Sequence, residues 1–103
     1  MTTSRNTAEI SRTLVLSTAH VPGHLAKSVG LDLQQDDFYV PVDQYTQGWT
    51  CHVCMETVFE FIENTPREHW FKPVLMVALE NKCDRVQFDC DAYVLEGLET
   101  YEW

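Results

Sequence analysis

The sequence predicts a single α+β domain: a ferredoxin-like antiparallel sheet in the order βαββαβ, with two helices on one face. Three observations lead there. Four short runs carry strand chemistry, two segments carry helix signals between them, and the chain has 103 residues, enough for one modest core. Right-handed crossovers then place the first and last strands in the middle of the sheet and the hairpin strands outside. The domain is expected over residues 13–103, with residues 1–12 as a flexible, polar N-terminal arm.

The first strand is read over Thr13–Thr18, where Leu14-Val15-Leu16 form an apolar run that ends in small polar residues. It reads as a central strand with His20 at its mouth. Val21–Val29 follows as a short helix. Pro22 suits its first turn, Leu25 and Val29 share a face, and Gly30 is a C-terminal stop. Phe38, Val40 and Val42 alternate onto one face of the second strand, Phe38–Asp43, and Pro41 marks it as an edge. Gln44–Gly48 is the turn. The third strand, Trp49–Cys54, puts Trp49, Cys51 and Val53 on one face and Thr50, His52 and Cys54 on the other.

Met55–Asn64 fits a helix about as well as an extended segment. Thr65 and Glu68 then form a capping box with Pro66 at the first helical position. The helix they open runs to about Lys82, burying Trp70, Phe71, Val74, Leu75, Ala78 and Leu79 and kinked by Pro73. Arg85–Asp89 is the last main strand, with Val86 and Phe88 inward. Asp91–Leu95 is expected to extend or pair with the sheet. Leu98, Tyr101 and Trp103 form a tail that docks.

The charge is segregated. Lys and Arg number 7 against 16 acids, for a net charge of −9. Between Ser28 and Pro66 lie Asp32, Asp36, Asp37, Asp43, Glu56, Glu60 and Glu63 with no Lys or Arg, and between Val86 and Trp103 lie Asp89, Asp91, Glu96, Glu99 and Glu102, again with none. Such a field repels nucleic acid, whose binding needs Lys and Arg at phosphates. It attracts a basic protein surface and speeds the encounter. The partner-binding residues expected on this ground are Asp36, Asp37, Asp43, Asp89, Asp91, Glu96 and Glu99. The longest apolar run, Val74–Leu79, is too short to span a membrane, and residues 1–12 lack the apolar core of a targeting signal. A soluble cytoplasmic protein is expected.

Candidate chemistry is sparse. Cys51-x-x-Cys54, with Cys83 and Cys90 later, invites a zinc site. However, residues three apart in a strand face opposite ways, and the second pair lacks close spacing. Core packing is the better reading of the thiols, and no metal or cofactor is expected. His20, His24, His52 and His69 are scattered, with no nucleophile elbow and no glycine-rich phosphate loop near them. His20 is expected to cap the next helix or bond to backbone. Asp36-Asp37 and Asp89-x-Asp91 lack calcium-loop spacing. No catalytic residue is assigned, and the protein is read as a non-enzyme.

Four stretches carry a resemblance: Leu16-Ser17-Thr18-Ala19-His20, Gly48-Trp49, Lys82-Cys83-Asp84-Arg85-Val86-Gln87-Phe88-Asp89 and Leu98-Glu99-Thr100-Tyr101-Glu102-Trp103. Together they resemble a family of short uncharacterised proteins, a domain of unknown function carried by phages, plasmids and other mobile elements. Met55–Asn64 looks like an insertion relative to it. The resemblance implies a small α/β domain and a mobile-element setting, in which anti-CRISPR and anti-restriction proteins have similar size and charge. The expected function is therefore inhibition of a host defence complex through its basic nucleic-acid-binding surface. The alternative is a non-enzymatic accessory or regulatory domain that self-associates, or binds a neighbouring protein, through its C-terminal aromatic tail.

Overall fold

A computed structural model of the chain describes residues 12–25, 31, 33–34, 40–53 and 55–101. The expected arm up to residue 11, residues 26–29 of the expected first helix and its stop Gly30, Phe38, Cys54, Glu102 and Trp103 lie outside the described residues. So do Asp36 and Asp37 of the proposed partner site.

Four strands form one mixed sheet: β1 (Thr13–Ser17), β2 (Val42–Tyr45), β3 (Gly48–His52) and β4 (Arg85–Asp89). Two α-helices join β3 to β4: α1 (Met55–Asn64) and α2 (Phe71–Glu80). The spatial order is β1-β4-β3-β2. β1 runs parallel to β4, β4 antiparallel to β3, and β3 antiparallel to β2. This corrects two expectations. The sheet is mixed rather than antiparallel, and β1 lies at an edge rather than in the middle, leaving β3 and β4 inside. The residues of β1 explain its place. Leu14 and Leu16 face the core, while Val15 stays 50% exposed on the other side. That alternation belongs to a strand covered on one face only.

β2 is the other edge, as Pro41 required. Its hairpin is tighter than expected, because Tyr45 pairs with Gly48 across the two turn residues Thr46 and Gln47. Gln44, Tyr45 and Gly48, expected in the turn, are therefore in strands. Trp49, Cys51 and Val53 are buried together, joined by Val86 and Phe88 of β4. The cross-strand pairs Trp49–Phe88 and Leu16–Phe88 stack these side chains on the helical side. Burial pushes the Cys51 thiol up to about 12. It packs as a core residue.

The expected first helix, Val21–Val29, appears where described as one 3₁₀ turn, Gly23–Leu25, and another 3₁₀ turn, Thr18–His20, precedes it where the first strand was expected to end. Ser17 opens the Thr18–His20 turn by accepting the Ala19 N–H on its hydroxyl at 3.1 Å. Met55–Asn64 is helical. Val58 and Phe61 are its buried stripe, whereas Phe59 and Ile62 are exposed. The Thr65 hydroxyl bonds back to the Phe61 carbonyl, so it closes α1 and does not open α2. The capping box is thus not formed. His69 does that work: its Nδ1 accepts the Phe71 N–H at 3.1 Å and its carbonyl accepts the Lys72 N–H. Because α2 starts at Phe71, Pro73 falls in the first turn. Its missing N–H is harmless there, which removes the reason for a kink. Phe71, Val74, Leu75 and Ala78 bury the expected stripe.

The end of α2 is a Schellman motif without its glycine. Cys83 N–H bonds the Ala78 carbonyl and Lys82 N–H bonds that of Leu79, with Lys82 at φ +56°. A side chain in that conformation costs about 1 kcal/mol. Lys82→Gly is expected to raise stability by about 0.5–1 kcal/mol, read as a higher urea midpoint at unchanged slope. An unchanged or lower midpoint contradicts this account.

Candidate interaction surface

After β4 the chain must leave the sheet, and Asp89 turns it. Asp89 Oδ1 accepts the Asp91 N–H at 2.8 Å, and its carbonyl accepts that of Ala92. Asp89 Oδ2 accepts the Tyr45 hydroxyl at 3.1 Å. Partial burial, and after it this carboxylate, raise the Tyr45 phenol above its ordinary value. Cys90 N–H ties the turn to Gln47 of the β2–β3 hairpin at 2.9 Å. Asp89, expected at a partner surface, is therefore half-buried and engaged inside the domain.

The following segment, residues 91–101, forms no strand among the described residues. It is held by the end of β1 and the turn after it. Ser17 N–H bonds the Tyr93 carbonyl at 3.1 Å, and Tyr101 N–H bonds the Ala19 carbonyl at 2.8 Å. Between them sits His20, 1% exposed. Its Nε2 accepts the Leu95 N–H at 2.9 Å, and its Nδ1 lies 2.9 Å from the Glu99 carbonyl. A backbone N–H only donates and a carbonyl only accepts. The proton is therefore on Nδ1, and both ring nitrogens are used. His20 bonds to backbone, as one of its two expected roles had it. It pins two points of the loop from a residue 75 and 79 positions earlier.

Leu98 packs against the core, and Tyr101 is half-buried. With His20, Trp70, Pro73, Val74 and Glu99 they line a small cleft of about 30 Å³, with room for ordered water. Trp70 Nε1 is buried with no hydrogen-bond partner among the described residues.

The loop turns its other side chains outward. Asp91, Glu96 and Glu99 are exposed, and none of them pairs with Lys or Arg among the described residues. Tyr93 is 92% exposed and Val94 53%. Asp43 sits apart on β2, with its Oδ2 3.1 Å from His52 Nε2 in a solvent-facing pair. The structure thus groups Asp91, Glu96 and Glu99 on one loop and leaves Asp43 on the open face of the sheet. The exposure of Tyr93 and Val94 is not legible in the sequence, because Ala92-Tyr93-Val94-Leu95 reads as strand. The flanking acids and Gly97 were the signal for a loop.

Among the described residues, the thiols do not gather at one place. Cys51 is in the core, Cys83 is half-buried and Cys90 is exposed. Asp89, Cys90 and Asp91 bring one ligand atom each within 4.8 Å of one another. Asp89 is already committed to Tyr45 and the Asp91 N–H, so this grouping is that of a turn. No helix is long and apolar enough to cross a membrane among the described residues.

Residues 13–103 match the family described as "Family of unknown function (DUF5983) C-terminal domain", and the chain belongs to that family. The helix α1 lies inside the matched stretch. No curated protein and no solved structure matches the chain.

Proposed function

We propose that the protein is a non-enzymatic inhibitor, carried by a phage or other mobile element, that binds the basic nucleic-acid-binding surface of a host defence complex. It acts by charge mimicry and steric block in the host cytoplasm. The observation that supports this reading is the exposed carboxylate set Asp91, Glu96 and Glu99 on a chain of charge −9, with no Lys or Arg paired to it among the described residues. Unpaired surface charge is free to meet a complementary surface, and like-charged nucleic acid competes for the same place.

The test uses purified CRISPR effector and restriction complexes loaded with labelled DNA. The protein is expected to displace DNA from one of them, with affinity falling as salt rises. Reversing Asp91, Glu96 and Glu99 to Lys is expected to weaken binding by about tenfold or more. Asp89 is left intact because it builds the turn. Absence of displacement from every complex, or displacement indifferent to the reversal, overturns the proposal.

A further inference from the structure

We infer that Tyr93 and Val94 form the apolar anchor of the contact, seating in a recess of the basic partner protein while Asp91 and Glu96 meet its cations. This deepens the reading above and rests on it for the partner's charge. Three observations carry it. Tyr93 is 92% exposed and Val94 53%, consecutive in the loop between Asp91 and Glu96. Tyrosine is a side chain enriched in binding hot spots, and paired apolar exposure seldom lacks a use. The segment is tied to its own domain: Ser17 holds the Tyr93 carbonyl and His20 holds Leu95 and Glu99. A loop ordered in advance loses less entropy on binding. Finally, acids flank the apolar pair on both sides with no basic residue from Val86 to Trp103.

That last observation selects the occupant. A second copy brings the same −9 and the same acidic loop, and is repelled. Nucleic acid and anionic lipid are repelled likewise. A basic protein surface with an apolar recess matches both parts of the loop.

The test places the photo-cross-linker p-benzoylphenylalanine at Tyr93, and separately at Phe59, the exposed aromatic on α1, in the full chain within its own cells. The expected result is a discrete adduct from position 93 whose cross-linked peptide is rich in Lys and Arg. It should vanish in the Asp91→Lys, Glu96→Lys variant. With that protein purified, Tyr93→Ala should weaken binding by about tenfold or more. Its melting temperature should not move, because the ring is nearly free of its own domain. No adduct from position 93, an adduct from position 59 alone, a cross-linked peptide without basic residues, or an adduct indifferent to charge reversal overturns the inference. An adduct at position 59 alongside DNA displacement removes the anchor and leaves the inhibitor reading. A basic partner bound at position 93 that handles no nucleic acid removes the inhibitor reading and leaves the anchor.

Discussion

Replacing His20 is expected to be among the most destabilising single changes in the domain. The ring is almost fully buried and makes two hydrogen bonds to backbone far along the chain. His20→Ala deletes both, at about 1 kcal/mol each, and empties the space of an imidazole. The sum is about 3–5 kcal/mol, against a stability of about 5–15 kcal/mol for a chain of this size. A melting temperature lower by about 12 °C or more is the calorimetric expectation. His20→Phe fills the space with a slightly larger ring and loses both bonds, so it should fall between Ala and wild type. The contrast is His52→Ala, whose partner Asp43 is solvent-facing and whose loss should stay within about 0.5 kcal/mol. Hydrogen exchange separates a pin from a mere space-filler. The Leu95 amide should lose its protection in both His20 variants before the β3–β4 amides do. Equal loss everywhere, or no loss at Leu95, refutes the pin.

The same residue shows what the sequence could and could not disclose. The apolar alternation of Leu14 and Leu16, the register of Trp49, Cys51 and Val53, and the stripe Phe71, Val74, Leu75 and Ala78 were legible. Each depends on periodicity within one element. The partners of His20 were not legible. Leu95 and Glu99 meet it through backbone atoms, and backbone donors and acceptors look the same at every position. The sheet order failed for a related reason. Whether β1 sits at the edge or in the middle depends on which neighbour takes its backbone hydrogen bonds, and its side chains carry only the sign of each face. The misplaced start of α2 has a more local cause. Thr65, Pro66 and Glu68 spell a helix start, but Thr65 was already engaged by the Phe61 carbonyl at the end of α1. At the candidate surface, acid segregation pointed to the segment after Val86. It could not separate Asp89, turned inward to Tyr45, from Asp91, two residues on and exposed.

Gly48 carries the other large expected effect, and it runs against the usual direction. In most strands Gly→Ala is stabilising, by about 0.5–1 kcal/mol, because the unfolded chain loses freedom. Here Gly48 opens β3 between Tyr45 on β2 and Asp89 on β4. A Cβ at Gly48 would overlap the Phe88 carbonyl oxygen, with Thr18 Cγ2 at 3.3 Å behind it. The obstacle is backbone, so no rotamer change relieves it. The Tyr45 hydroxyl reaches across β3 to β4, sharing its one proton between Asp89 Oδ2 at 3.1 Å and the Phe88 carbonyl at 3.3 Å. Gly48→Ala must therefore pry the two inner strands apart at their end. The expected cost is about 3 kcal/mol or more, enough to lower the soluble yield of the variant. Gly97→Ala separates the possible causes. Gly97 has φ +97°, but a methyl group there would meet no atom of the described residues within 4 Å, so its cost is conformational alone, about 1–2 kcal/mol. Urea midpoints should rank wild type above Gly97→Ala, and Gly97→Ala above Gly48→Ala. If Gly48→Ala melts with or above Gly97→Ala, the close approach of β3 to the Phe88 carbonyl is not what holds glycine at this position.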